Sequence, residues 1–431
     1  MRSRAMIGGT ARCFGWHCIA VGVVGFSLAG TSPVDAGASP PAFPPCGFET
    51  TAVTPPDISS LWGEFLTFMS INDQGVAIGT IAILGTRIPC TWSVENGFTL
   101  IPKPTGAGGS RFVVGINNNG WMFVTWNFEF KTIAHVYKPN GSGGYEIFAI
   151  EPQGGTWSEA LGINDLNQVV GYEGLGLGES PNLPDGGFFW SEETGKVQIQ
   201  PPGWSASRCN DIGENGVIVG NVSQTAVAAG GGTTLRAFVL DGDELTIIEP
   251  PPPFVRSQAW SATATGLVGA TMSGTGIGAG VIYDIRTGSL DVWYPPPGAS
   301  SWGIRDLNDD GVAAGYLILE GTSDLLPAIA KDGVVVNLNT LLDAPYAAQQ
   351  LLGIRNDGTV VGACSPSGCS LIAQPLGAPG DLDCDGTVGP ADLALLLGLW
   401  GSDDSGADLN GDGVVGGDDL GILLGAWSCK P

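Results

Sequence analysis

Positive charge is scarce in this sequence: 17 Lys and Arg stand against 42 Asp and Glu, a formal net charge of -25 at pH 7. A nucleic-acid backbone would be repelled, which excludes it as a partner. Histidine is scarcer still, with His17 near the start and His135 alone in the body of the chain. One imidazole leaves a Ser-His-Asp arrangement open but rules out a multi-histidine metal centre. Long apolar runs are missing beyond the first 36 residues; "LALLLGLW" is less than half of the ~20 residues a helix needs to cross a bilayer. Charged residues of both signs make up only 14%, whereas Gly (69) and Pro (30) together approach a quarter of 431 residues that are 43% hydrophobic. That balance suits short strands joined by turns better than long helices. No phosphate loop, dinucleotide fingerprint or nucleophile elbow is visible.

The chain opens with Arg2, Arg4 and Arg12, an apolar run over 13–29, and then Val34-Asp35-Ala36. This is the layout of a Sec-type signal peptide over 1–36, cut after Ala36, with an uncleaved membrane anchor as the alternative. Cleavage predicts a secreted protein, extracellular or at the cell surface, with no transmembrane anchor left. Export into an oxidising compartment makes the cysteines disulfide candidates. Cys364 and Cys369 flank "SPSG", and Cys384 and Cys429 stand at opposite ends of the terminal segment. Seven cysteines remain after cleavage, so one thiol is left unpaired or intermolecular.

An internal period is present. "INDQGVAIG" at Ile71 returns at Ile116, Ile163, Ile212, Ala262 (degenerate, "ATATGLVG"), Leu307 and Ile354, at spacings of 45, 47, 49, 50, 45 and 47 residues. Such a period fits a propeller blade. Each repeat divides into four short strands; in the third these are "EALGI", "QVVGY", "GFFW" and "KVQIQ", with Asn/Asp/Gly turns between them. The seventh repeat lacks a fourth strand, and residues 48–56, "FETTAVTPP", match one at the other end of the chain. The expectation is a mainly β, seven-bladed propeller of four-stranded blades over 46–376, closed by this N-terminal strand. An open solenoid or a two-sheet sandwich is the alternative. The "GIND-x-G-x-VVG" runs followed by "GGFFW", "AHVY" or "LRAFVL" resemble bacterial extracellular HAF repeats, which implies export and β-repeat structure rather than a known reaction.

After a linker at 377–380, residues 381–431 hold ten Asp and one Lys. "DLDCDGTVGPAD" and "DLNGDGVVGGDD" place oxygen donors at the same steps: Asp381, Asp383, Asp385, Thr387 (carbonyl) and Asp392, then Asp408, Asn410, Asp412, Val414 (carbonyl) and Asp419. Alternate side chains on a tight turn, bent at Gly386 or Gly413, supply the shell that a hard cation requires, predicting two Ca²⁺ ions. Each loop leads into an apolar helical segment, and leucines with Trp400 or Trp427 should pack the two helices together. This duplicated unit resembles a type I dockerin domain, an EF-hand-type module. The resemblance implies a cohesin-like or cell-surface docking partner. The Ser-Thr pair common at loop positions 10 and 11 of cellulosomal dockerins is replaced by Pro390-Ala391 and Gly417-Asp418.

Aromatics recur between repeats at Trp62, Phe112, Trp157, Trp204, Trp260, Trp302 and Tyr346. Trp157, Trp204, Trp260 and Trp302 are candidates for stacking on a glycan ligand, with packing between blades as the other reading. Asp165, Glu214, Asp306 and Asp309 fall in or beside the turns, where backbone geometry alone favours such residues. No catalytic residue is assigned. The functional expectation is a secreted, non-catalytic binding or scaffold propeller tethered through the dockerin-like module. The alternative is a secreted carbohydrate-active enzyme, a glycoside hydrolase or polysaccharide lyase, carrying that module.

Overall fold

The computed structural model describes residues 47–427 except 55–64, 84–85, 175–185, 226–232, 343–346, 366–368, 377–379, 384–386, 403, 405 and 411. The expected signal peptide, Trp62, Tyr346, the side chain of Phe112, Cys384, Asp385 and Cys429 lie outside the described residues. The chain divides into two compact units, 1–37 and 38–431, and all described residues belong to the second.

The described chain is mainly β, with 28 strands and two short α-helices. The repeats read from sequence fold as antiparallel four-strand runs. In the third, Trp157–Ile163, Val169–Gly174, Gly186–Ser191 and Gly195–Ile199 pair in chain order. Two eight-stranded sheets each consist of two such runs, joined by single parallel pairings of Trp157 with Thr132 and of Gly278 with Ser301. The last sheet is built from both ends of the β region. Gly47–Val53 lies antiparallel on Cys369–Leu376, from Gly47 opposite Leu376 to Val53 opposite Ser370. Phe48, 2% exposed, packs there with Leu338, Leu351 and Leu371. The Cys364–Cys369 disulfide joins neighbouring strands of the same sheet.

The recurring turn has a physical reason at each position. Four residues after the isoleucine the backbone is left-handed: φ is +76° at Gly75, +74° at Gly120 and +83° at Gly216, and in the third repeat Asn167 takes +59° instead. The Asn that opens the turn works in two directions. Its Oδ1 accepts the N–H four residues on, as from Trp121 to Asn117 (2.9 Å) and from Gln168 to Asn164 (3.0 Å). Its Nδ2 donates to the matching carbonyl of the next repeat: Asn72 to Asn117 (3.0 Å), Asn117 to Asn164 (2.8 Å), Asn164 to Gly213 (3.0 Å) and Asn308 to Arg355 (3.1 Å).

The following residue adds a second row. The N–H of Asp73 donates to Asn118 Oδ1, that of Asn118 to Asp165 Oδ1, and that of Asp165 to Glu214 Oε2, at 2.7 to 2.8 Å. The fifth repeat has Thr263 and Ala264 at these two positions, yet keeps the register. Leu267 N–H donates to Thr263 Oγ1 (2.9 Å), and Ala264 N–H donates to Asp309 Oδ1 (2.7 Å). Between the seventh repeat and the first, Arg355 Nη2 donates to Asp73 O (2.6 Å).

At the C-terminal end, α1 (Pro390–Gly398) and α2 (Gly417–Gly425) bury Leu396 and Leu423 with Val388, Ala407, Leu409 and Val415. Pro390 suits the first helical turn, where no N–H is needed. Trp427 packs against this small core. Trp400, expected to do the same, is 48% exposed; it follows Leu399, which caps α1, just before the chain turns at Gly401 (φ +79°).

Asn117 is 4% exposed and makes bonds within its own turn and to the next repeat. Asn117→Ala should therefore destabilise the β region by about 1–3 kcal/mol, since buried partners are left unmet. Asn356→Ala, at an exposed rim position, should cost less. Urea denaturation of the two variants tests the ordering, and equal midpoints would contradict it.

Candidate functional site

The first strand of six repeats carries a β-bulge. Its register on the second strand shifts between Phe68 and Ser70, Ala160 and Gly162, Cys209 and Asp211, Ala259 and Ser261, Ile304 and Asp306, and Leu351 and Gly353. A bulge takes one residue out of the two-residue alternation and re-aims its side chain. The residues skipped are Met69, Leu161, Asn210, Trp260, Arg305 and Leu352, and all six line one cavity of 420 Å³. The glycine closing each "VVG" run lies across from the bulge. A Cβ on Gly171 or Gly220 would collide with the carbonyl oxygen of Glu159 or Arg208, so the close approach needs glycine.

The cavity has two kinds of wall. Met69, Leu161, Leu352 and Phe123 make it apolar on one part, while Arg208, Asn210, Asp211, Arg305 and Asp306 bring polar groups from the fourth and sixth repeats. The Arg305 guanidinium lies 5.0 Å from the Trp260 ring centre and 5.1 Å from that of Tyr316, and the Arg208 guanidinium lies 4.2 Å from the centre of Tyr172.

Asp211, Ser261 and Asp306 occupy the position before the repeat's isoleucine or its equivalent. Asp211 Oδ2 accepts Ala262 N–H (3.0 Å). Asp306 accepts Ser261 Oγ–H (2.8 Å) and Leu307 N–H (2.9 Å) on one oxygen and Ile354 N–H (2.9 Å) on the other. Burial, followed by the charge of Asp306, pushes the Asp211 carboxyl up to about 7, and burial also raises Asp306.

These two aspartates also line a 200 Å³ recess ringed by the turns, with Asp73, Asp165, Glu214 and Asp309. Glu214 is raised to about 7, first by burial and then by repulsion from Asp165, Asp309 and Asp73. The turn carboxylates thus do more than shape their own turns, since they bridge repeats and line one recess.

The four tryptophans proposed to stack on a ligand do not form one platform. Trp260 lines the 420 Å³ cavity, and Trp204 lines a separate groove of 550 Å³ with Glu173, Gln198 and Gln200. Trp157 donates to Glu159 Oε2 (3.1 Å) and meets Tyr172 edge-on, while Trp302 is fully buried in the core. His135 is also a core residue; its Nδ1 lies 3.0 Å from Ile133 O, its ring stacks on Phe128, and burial lowers its pKa. Cys90 and Cys209 are buried free thiols, and burial pushes Cys90 up to about 12. Sequence reasoning missed Arg208, Asn210, Asp211 and Arg305. The available signal was their place just ahead of the "IGENG" and "LNDDG" turns.

In the terminal segment, Asp381, Asp383 and Asp392 bring one carboxylate oxygen each within 4.8 Å of one another. Asp392 closes its loop by accepting N–H groups from Leu382 (2.7 Å), Asp383 (3.0 Å) and Gly389 (2.7 Å). Asp419 does the same for Leu409 (2.7 Å), Asn410 (3.0 Å) and Gly416 (2.6 Å). Asp408 accepts from Asp412 and Gly413, and Asp412 accepts from Val414. Val414 is 52% exposed, and Thr387 directly precedes the buried Val388.

No family model matches the chain, and no curated protein matches it. Solved structures do. The β-propeller domain of the Trilobed protease from Pyrococcus furiosus, described as having an open velcro topology, aligns with a TM-score of 0.50 at 13% identity, over 73% of this chain and 94% of that one. An acylaminoacyl peptidase in complex with Z-Gly-Gly-Phe-chloromethyl ketone aligns at 0.49 and 12%, over 74% and 53%. Prolyl endopeptidases align at 0.48 and 11%, over 78% and 51%. The chain therefore spans about half the length of these two kinds of peptidase. The fold is propeller-like. The functional expectation is corrected here: the structure aligned at 0.50 is the β-propeller domain of a protease, and neither the non-catalytic scaffold nor the carbohydrate-active enzyme is retained.

The raised Asp211 carboxyl has a consequence for pH. The folded chain holds a proton on Asp211 up to about pH 7, whereas an unfolded chain releases it near pH 4. Its contribution to stability is thus full below pH 4 and is lost as pH rises to 7. Asp211→Asn should flatten the fall in melting temperature over that window. Parallel pH profiles for wild type and variant would contradict this placement of the proton.

Proposed function

We propose that the chain is a hydrolase-type propeller protein that takes a peptide-class substrate into its channel, with Asp306 as base and Asp211 as acid. The observation that carries the reading is the convergence of these two half-buried carboxylates on one cavity. Two carboxyls in one low-dielectric site share out a single proton. The three donors around Asp306 favour its anion, so the proton resides on Asp211. In this reading Asp306 takes a proton from water as the water oxygen bonds to the scissile carbonyl carbon. Asp211 gives its proton to the amide nitrogen as the C–N bond breaks, and the pair is reset by proton exchange with solvent. The propeller of similar fold is a domain of a protease, which favours peptide as the substrate class.

Incubating the protein with a peptide library at pH 6 and reading new termini by mass spectrometry tests this. Asp306→Asn should lose at least about a hundredfold in rate, as expected for a removed general base. Absence of cleavage by the folded wild type would refute the assignment.

The finer architecture belongs to the same proposal: seven four-stranded blades, the last completed by Gly47–Val53, with HAF-like repeats exported behind a signal peptide. The terminal segment is read as a dockerin-like module that holds two Ca²⁺ ions. The gathering of Asp381, Asp383 and Asp392 fits a hard divalent cation, because carboxylates packed this closely repel unless a cation offsets them. These three, with the equivalent Asp408, Asn410, Asp412 and Asp419, would hold the ions, whose contribution is structural. Calorimetric titration of chelator-treated protein with Ca²⁺ should show two sites, and Asp381→Asn with Asp383→Asn should remove one. Heat-silent titration would contradict the calcium reading.

A further inference from the structure

The bulged residues that face the 420 Å³ cavity divide by repeat. Met69, Leu161 and Leu352, from the first, third and seventh repeats, are half-buried apolar side chains, and Val114 and Phe123 of the second repeat line the cavity with them. These four repeats stand side by side. Arg355 Nη2 reaches Asp73 O from the seventh repeat to the first, Asn72 Nδ2 reaches Asn117 O from the first to the second, and Asn117 Nδ2 reaches Asn164 O from the second to the third. Their apolar side chains therefore make one continuous wall. Surface of this kind left half-open to a cavity favours an apolar occupant, because covering it removes it from water.

The wall also lies against the carboxylates. Gly162, next to Leu161 in the chain, approaches Asp211 so closely that a Cβ on it would stand 2.7 Å from Asp211 Oδ1. Gly115 and Gly162 leave this level of the cavity without side chains in the second and third repeats, whereas Asp211 and Asp306 hold the equivalent positions in the fourth and sixth. A group held at Asp211 thus has its immediate neighbour over Leu161. Charged neighbours of either sign are disfavoured there: Arg208 and Arg305 on the same cavity repel a lysine or arginine side chain, and Asp306 repels an acidic one. A volume of 420 Å³ falls within the roughly 300–1,000 Å³ of sites that enclose small ligands.

We propose that Leu161, with Met69 and Leu352, sets the specificity of this site by seating a large apolar side chain, that of leucine, methionine or phenylalanine, beside the scissile bond. The substrate class rests on the hydrolase reading above; the inference adds which peptides the cavity selects. An apolar seat discriminates by the surface it covers, so a glycine in the same place forfeits the contact.

The test is NMR titration of the full chain, labelled with methyl-13C methionine, with acetyl-Ala-Leu-Ala-amide and acetyl-Ala-Gly-Ala-amide at pH 6. The Met69 methyl resonance, assigned by its loss in Met69→Leu, should shift on addition of the leucine peptide. Those of Met122 and Met272, 1% and 0% exposed, should stay in place. The leucine peptide should bind at least about tenfold tighter than the glycine peptide, the low end of what an apolar pocket discriminates. Leu161→Asn, close in size but polar, should erase most of that preference. Equal affinities, no binding of either peptide at millimolar concentration, an unmoved Met69 methyl, or a preference that survives in Leu161→Asn would overturn the inference. Mass spectrometry of the same samples reads cleavage. Preference for leucine without cleavage would uphold the apolar seat while removing the hydrolytic reading, and cleavage without that preference would do the reverse, so the two fail separately.

Discussion

Four turns in this series of repeats are tied to the next by the Asn that opens them. The Asn that opens one turn uses its carbonyl oxygen to hold its own backbone and its amide to reach the next turn, so local shape and inter-repeat spacing are set by one side chain. The constraint is strict because both partners are backbone groups buried near the channel, where an unmet donor or acceptor costs far more than a made bond gains. The row continues through the fifth repeat, although Thr263 and Ala264 replace the usual pair, because the acceptor is Asp309 of the sixth. It is joined across the chain's ends by Arg355 and by the pairing of Gly47–Val53 with Cys369–Leu376.

Fixing the turns also fixes the strands leading into them. The bulge lies three to five residues ahead of each turn's second residue, and the glycine that lets the second strand press close follows it. Once spacing and bulge are set, one side chain per repeat is directed at the cavity irrespective of its identity. The scaffold can therefore accept Met69 or Leu352 in one repeat and Asn210 or Arg305 in another. The charged groups on this cavity come from the fourth and sixth repeats, while Met69, Phe123, Leu161 and Leu352 of the others are apolar.

The same interactions that build the cavity wall also shape its acidity. Asp211 and Asp306 tie consecutive repeats through backbone N–H groups, and that role draws them out of water and near each other. A structural staple and a proton-holding group are thus the same atoms. In the terminal segment the logic differs, since Asp392 and Asp419 close short loops over a handful of residues, and Leu396 and Leu423 bury only a small core.

Much of the fold was legible in the residues. The 45- to 50-residue period, the Asn-Asp-x-Gly turns and the orphan strand at 48–56 are local patterns whose physical causes act within one hairpin, and they foretold strand order and the pairing of the two ends of the β region. In the acidic loops, too, the groups that meet stand only a few residues apart, as where Asp392 and Asp419 accept N–H groups of their own loops. The site was not, because a bulge follows from strand pairing, and nothing in "SRCNDIG" or "WGIRDLN" says which residue is skipped. Sequence periodicity made Trp157, Trp204, Trp260 and Trp302 equivalent, whereas their surroundings put one in the core and one in the channel. The sequence alone settled the repeat and its turns, which depend on neighbours along the chain. Only tertiary structure decided which side chains meet across repeats, because residues some 50 apart share a cavity only after every strand has taken its register.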